Sequence, residues 1–197
     1  MDELSIYLAN NDPCDKNKLI NILNNKIIIT SEHIKLIHYD VREKHLNLNI
    51  IKLFEDYGFI FNIDDYRQLL KQNGFLLKYL TDENKTEELC EIAIKSYPSS
   101  FNYVPRNMQT DKICELVIYH DWCMIKYVPY DKITDEMYEY AISKNGNLLQ
   151  HVPENKKTYK LCKIAVQTNG FALKYVPDNK QTSEICAIAC ENMKHET

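Results

Sequence analysis

Cysteine, histidine and tyrosine are the chemically interesting side chains of this 197-residue sequence, and their spacing is the first thing to weigh. Cys90, Cys114, Cys162 and Cys186 fall on one series whose step is 24 residues, with Tyr138 in the vacant place; Cys190 stands one helical turn after Cys186, and His195 follows. Structural zinc wants four ligands, usually in pairs two residues apart, and the sequence holds no such pair. A nucleophilic thiol needs a cationic or basic neighbour, and none recurs beside these cysteines, which sit among Ile and Ala. They read as reduced, buried hydrophobes. Metal, cofactor and catalytic residue are all expected to be none.

Two further rows share the step. Tyr79, Tyr103, Tyr127, His151 and Tyr175 form an aromatic series. Such a series could offer stacked rings to a peptide or to bases, but it is expected in the core between copies, with each phenol reaching a rim hydrogen bond. The residues just before it, Lys78, Asn102, Lys126, Gln150 and Lys174, are then expected to face another way. They are the candidate solvent-facing binding stripe. His33, His38 and His45 would need a polar cleft around them to serve an enzyme, and their setting reads as helix surface. No P-loop, zinc-protease, nucleophile-elbow or dinucleotide motif occurs, and four glycines leave little for a phosphate-cradling loop.

The elements that carry these rows repeat in tandem. Pro105, Pro129, Pro153 and Pro177 end Val-Pro pairs 24 residues apart, and Thr86, Thr110, Thr134, Thr158 and Thr182 keep the same step. So do Ala93, Val117, Ala141, Ala165 and Ala189. Each Thr is placed as a helix N-cap, with acidic residues such as Glu87, Asp111 and Asp135 following where the helix dipole favours them. A helix of about three turns is expected after each cap, apolar on two sides through residues such as Leu89, Cys90, Ala93 and Ile94. Asn73-Gly74, Asn145-Gly146 and Asn169-Gly170 should end it with Gly in the left-handed conformation. A shorter second helix follows, stopped by Pro, and a loop such as Glu154 to Lys157 leads to the next Thr.

A hairpin this small cannot bury its own apolar face, so copies must stack. The predicted fold is all-α: an α-solenoid of short helical hairpin repeats with an irregular helical N-terminal cap. Residues 62–197 are assigned to the array, a divergent copy at 62–73 capped by Asn62 and then five copies, and residues 1–61 to the cap. In the cap, helices are expected over 2–9, 14–24, 32–46 with Ser31 as its cap, and 47–57 ending at Gly58.

The N-G-x-x-L-K-Y-V-P and T-x-x-x-C-x-I-A-I patterns, as they stand from Asn169 to Cys190, resemble a domain-of-unknown-function repeat family. Its members occur in tandem in large DNA viruses and in bacteria that live in amoebae. The likeness covers residues 73–192, and departs at Thr81 in a Pro position, at Ser99-Ser100 and at Asp121-Trp122. It implies a fold and a lineage, and supplies no catalytic residue.

Composition narrows the rest. Charge is balanced along the chain at a net −4, which weakens a phosphate-binding reading. No apolar run approaches the roughly 18 residues of a membrane span, and the start lacks the pattern of a secretory signal. An intracellular, cytoplasmic protein is expected, in a host cytoplasm on the viral resemblance. The expected role is a non-enzymatic scaffold that binds another protein, a host protein on that same resemblance. The competing readings are single-stranded nucleic-acid recognition, one unit per base, and an enzyme seated in the N-terminal third.

Overall fold

The computed structural model of the chain describes residues 2–9, 16–25, 27–36 and 50–195. It is all-α, with no strand among the described residues. The chain folds as two compact units, Met1–Met108 and Gln109–Thr197.

The first unit holds α1 (Glu3–Ala9), α2 (Lys16–Asn24), α3 (Ser31–Lys35), α4 (Ile50–Asp56), α5 (Ile63–Gln72) and α6 (Glu87–Ser96). Helix α1 packs on α2 and α3, α3 on α5, and α5 on α6. The N-cap of α3 is Thr30, one residue earlier than expected, and α3 ends at Lys35. The remainder of the helix expected over 32–46 lies outside the described residues, as do His38, His45 and Cys14. His33 is a correction: it is 3% exposed rather than on a helix surface. Its Nδ1 accepts from the Thr30 N–H at 2.9 Å, and its Nε2 lies 3.1 Å from the Asp2 carboxylate, so both ring nitrogens are consumed in tying the start of α3 to the chain's beginning. Helix α4 ends as expected at Gly58, whose φ of 84° requires glycine, while the Phe59 N–H reaches the Phe54 carbonyl in the usual closing bond. Behind it Phe54, Phe59, Phe61 and Tyr66 pack ring on ring.

The second unit holds α7 (Asp111–His120), α8 (Asp135–Lys144), α9 (Tyr159–Thr168) and α10 (Ser183–His195), each packed on the next. The period is literal in both units. Helices α5 to α9 each span ten residues. Every cap expected in the repeats forms: the hydroxyls of Thr86, Thr110, Thr134, Thr158 and Thr182 accept from the backbone N–H three residues on, and the Asn62 side-chain oxygen does so for α5. The second element of each copy is a six-residue 3-10 helix, as in Gly74–Tyr79 and Gly146–His151, and the loop after it is a 3-10 turn such as Glu154–Lys156. Within each unit the repeat helices, α5 and α6 in the first and α7 to α10 in the second, form one layer, and the six-residue 3-10 segments pack on one another as a second.

The Asn-Gly pairs behave differently from expectation. Asn73, Asn145 and Asn169 sit in extended backbone with φ between −147° and −152°. Each turns its side-chain oxygen forward to accept from the N–H two residues on, capping the 3-10 helix, and Asp121 does the same. The glycines are not left-handed. They are there for room: a Cβ on Gly74, Gly146 or Gly170 would lie 2.0, 2.2 or 2.4 Å from the carbonyl oxygen of Ala93, Ala165 or Ala189. Gly at the start of the 3-10 segment and Ala in the α-helix that follows it let two backbones meet. Ala93, Val117, Ala141, Ala165 and Ala189 are all fully buried, as the stacking argument requires.

Candidate functional site

Position within the six-residue 3-10 segment decides what each side chain meets. The third and fourth residues point inward, as with Leu76 and Leu77, Met124 and Ile125, or Leu148 and Leu149. The fifth and sixth lie outward. All five stripe residues, Lys78, Asn102, Lys126, Gln150 and Lys174, are exposed.

The aromatic row is not core. Tyr127 is 52% exposed, and Tyr79, Tyr103, His151 and Tyr175 are half-buried, because the sixth residue of the segment sits at the rim where Val-Pro turns the chain away. Nor do the two rows face apart. In the first unit Lys78 Nζ stands 5.7 Å from the Tyr79 ring centroid and 5.6 Å from that of Phe75. Phe75 in turn meets Tyr79, Tyr97 and Tyr103 edge to face. In the second unit Lys126 lies 4.9 Å over Tyr127, and Lys174 lies 4.8 Å over Tyr175. Each is a cation seated on the ring beside it, an arrangement worth about 0.5–1 kcal/mol at a solvated surface. Burial, with the Lys126 charge second, holds the His151 imidazole below its ordinary pKa, so Lys126 and His151 belong to one electrostatic neighbourhood.

Other cations are spent on carboxylates. Arg67, Lys160 and Lys163 of the α-helices bridge to Glu88, Glu139 and Glu184, and Lys132 and Lys156, which end the short 3-10 turns, bridge to Asp111 and Asp135, each joining successive copies. Lys144 of α8 lies over the Tyr140 ring at 5.3 Å. Among the described residues, Lys78, Lys126 and Lys174 have no carboxylate at ion-pair distance. In each unit the stripe residues are thus exposed cations and amides, the lysines seated on aromatic rings, and they could engage carboxylates or flat polar groups.

The thiols offer no chemistry of comparable reach. Cys90, Cys114 and Cys162 are free and fully buried. Burial pushes Cys90 and Cys114 up to about 11 and raises Cys162 and Cys123 as well, the opposite of nucleophile activation. Cys190 is exposed and Cys186 half-buried on α10. Among the described residues no three His, Cys, Asp or Glu side chains gather as metal ligands, and no helix is long and apolar enough to cross a membrane.

Sequence reasoning missed three features. The signal for the close Gly–Ala approach was present, since an Ala stands 19 residues after each of Gly74, Gly146 and Gly170. The signal for the His33 seat was the Thr30 to His33 spacing of a capping box with imidazole in place of a carboxylate. The seating of Lys on Tyr follows from neighbouring residues on a tight 3-10 turn, where side chains are set closer in angle than the alternation of a strand would leave them.

Two segments, residues 62–109 and 134–179, match the model of a family described as Domain of unknown function (DUF4116). Each segment covers about two of the 24-residue copies, and the copy between them, with Asp121-Trp122, falls outside the match. No curated protein and no solved structure matches the chain.

Proposed function

We propose that the repeats form a non-enzymatic α-solenoid scaffold that binds another protein on the 3-10 layer, through Lys78, Asn102, Lys126, Gln150 and Lys174. On the viral likeness of the repeat, that partner is a host protein met in the host cytoplasm. The observation that carries the reading is the contrast between lysines: Lys132, Lys156 and Lys163 are spent on carboxylates of neighbouring helices, and Lys126 and Lys174 of the stripe are held over rings with none. A partner presenting Asp or Glu gains charge-assisted hydrogen bonds there without first breaking an ion pair. The rings beneath add contact area at low entropic cost, as aromatic and basic side chains do at protein interfaces.

Affinity capture from host-cell lysate tests it, with Lys78→Glu, Lys126→Glu and Lys174→Glu combined as the comparator. A partner retained by the native chain and lost on reversal is the expected result; capture unchanged by reversal removes the stripe.

The exposed Tyr127 ring supports single-stranded nucleic acid as a second reading, since bases stack on such rings. The net charge of −4 weighs against it. Binding of oligonucleotides that falls steeply with salt would favour this reading over the first.

A further inference from the structure

The buried ring of His33 is bonded on both sides by groups that agree on only one of its three protonation states. It is 3% exposed, so the protein and not water must supply its partners. On one side the Thr30 N–H donates to Nδ1 at 2.9 Å, which requires a bare nitrogen there. On the other, Nε2 lies 3.2 and 3.1 Å from the two oxygens of the Asp2 carboxylate, which requires a proton. That carboxylate is held below its ordinary pKa, chiefly by the Ser5 N–H at 2.7 Å, with the His33 ring a lesser cause. The neutral ring with its proton on Nε2 satisfies both neighbours.

The imidazolium satisfies one of them. Its Nε2–H keeps Asp2, now in a charge-assisted bond. Its Nδ1–H meets the Thr30 N–H donor against donor, and turns instead to the Thr30 hydroxyl oxygen, 3.0 Å away. Thr30 is exposed, so the displaced amide passes to water. Thr30 is also the N-cap of α3 and His33 its third residue, the place from which Glu or Gln usually reaches back to the N–H of the cap. Gln would accept that N–H at every pH; imidazole accepts it only while neutral.

We propose that His33 is a proton-operated latch on the first turn of α3: neutral, it closes the cap by accepting from Thr30; protonated, it lets the Thr30 amide go and holds Asp2 more firmly. The other charged groups of the elements packed on α3 are matched among themselves. On α3, Glu32 pairs with Lys35 at 2.6 Å. From α5, Asp64, Asp65, Arg67 and Lys71 line a groove beside Ser31 and Lys35, with Arg67 held by Asp64 and Asp65 accepting from the Asn62 N–H. On α1, Glu3 is met by the Asn25 side-chain amide. Acid therefore loosens the start of α3 while leaving α1 attached, and does so independently of the lysine stripe.

Nuclear magnetic resonance of the full chain tests it. At the alkaline end, long-range proton–nitrogen spectra should show the His33 proton on Nε2. Between about pH 8 and 5, where imidazoles titrate, the protection of the Thr30 amide, corrected for the intrinsic pH dependence of exchange, should fall with the same midpoint as the ring. The fall should be about tenfold, as for the loss of one modest hydrogen bond. His33→Gln keeps the acceptor without the titration, so its Thr30 amide should stay protected throughout. A neutral ring protonated on Nδ1 overturns the proposal. So does Thr30 protection that stays flat in the native chain, or that falls equally in His33→Gln. Should His33→Gln fail to fold, the tautomer and the native-chain titration decide the matter by themselves.

Discussion

Two buried hydroxyls stand without a partner, Ser100 Oγ and Tyr138 OH. Ser100 takes the place that Leu76, Met124, Leu148 and Ala172 hold in other copies, and Tyr138 takes the place of a buried cysteine. A buried polar group left unsatisfied costs about 1–3 kcal/mol. Ser100→Ala and Tyr138→Phe should therefore each raise stability, by about 1 kcal/mol, read as a higher denaturant midpoint at unchanged slope. The buried thiols give a pH dependence. Cys90 and Cys114 hold their protons to about 11 in the fold against an ordinary 9.0, so the unfolded chain loses them first as pH rises. Their contribution is whole below pH 9 and lost between 9 and 11, about 2 kcal/mol for each thiol. Denaturant midpoints followed across that range should fall, and Cys90→Ala with Cys114→Ala should flatten the fall. At this scale the threonine caps and the cysteine burial were legible, since each follows from one side chain and its nearest neighbours. The place of His33 was hidden because its partner Asp2 lies 31 residues away in sequence.

Helix ends show which local rules the copies obey and which they override. Thr158→Ala removes one acceptor at the first turn of α9 and should cost about 1 kcal/mol. Gly146→Ala is a different order of change, because its Cβ would lie 2.2 Å from the Ala165 carbonyl oxygen and backbone must move. It should cost more than the cap, about 3 kcal/mol or loss of the native state, by analogy with overpacking. Thermal denaturation of both variants ranks them, and an equal loss would mean that the stack yields at that point. Ala165→Leu should overpack the same contact from the other side, costing about 1–3 kcal/mol. The elements themselves were readable from Thr, Val-Pro and the apolar spacing. The reason for glycine was not, since an Asn-Gly pair is the usual mark of a left-handed turn, and only the contact with the following α-helix reveals otherwise.

In the second unit α7 to α10 pack each on the next, and the Lys132–Asp111, Lys156–Asp135, Lys160–Glu139 and Lys163–Glu184 bridges reach from one copy to its neighbour. Removing residues 134–157, one whole period, should therefore leave a chain that folds with its helical circular dichroism in proportion to its length. Removing 134–145, half a period, should set a helix where a 3-10 segment belongs and abolish the cooperative transition. The all-α class and the period were legible because the signal recurs; the setting of the aromatic row was harder, since whether a rim tyrosine lies inside or outside depends on how tightly a six-residue turn is wound. The Gly146 to Ala165 and Gly170 to Ala189 contacts each join a 3-10 segment to the α-helix after it, at a separation of 19 residues that recurs with the period, and that has a hereditary meaning. Misaligned recombination that adds or drops whole copies joins a glycine from one ancestor to an alanine from another and rebuilds the same seat. Copy number is then free to drift at little cost to the packing, and array length becomes a trait that selection can set by the reach the surface must have.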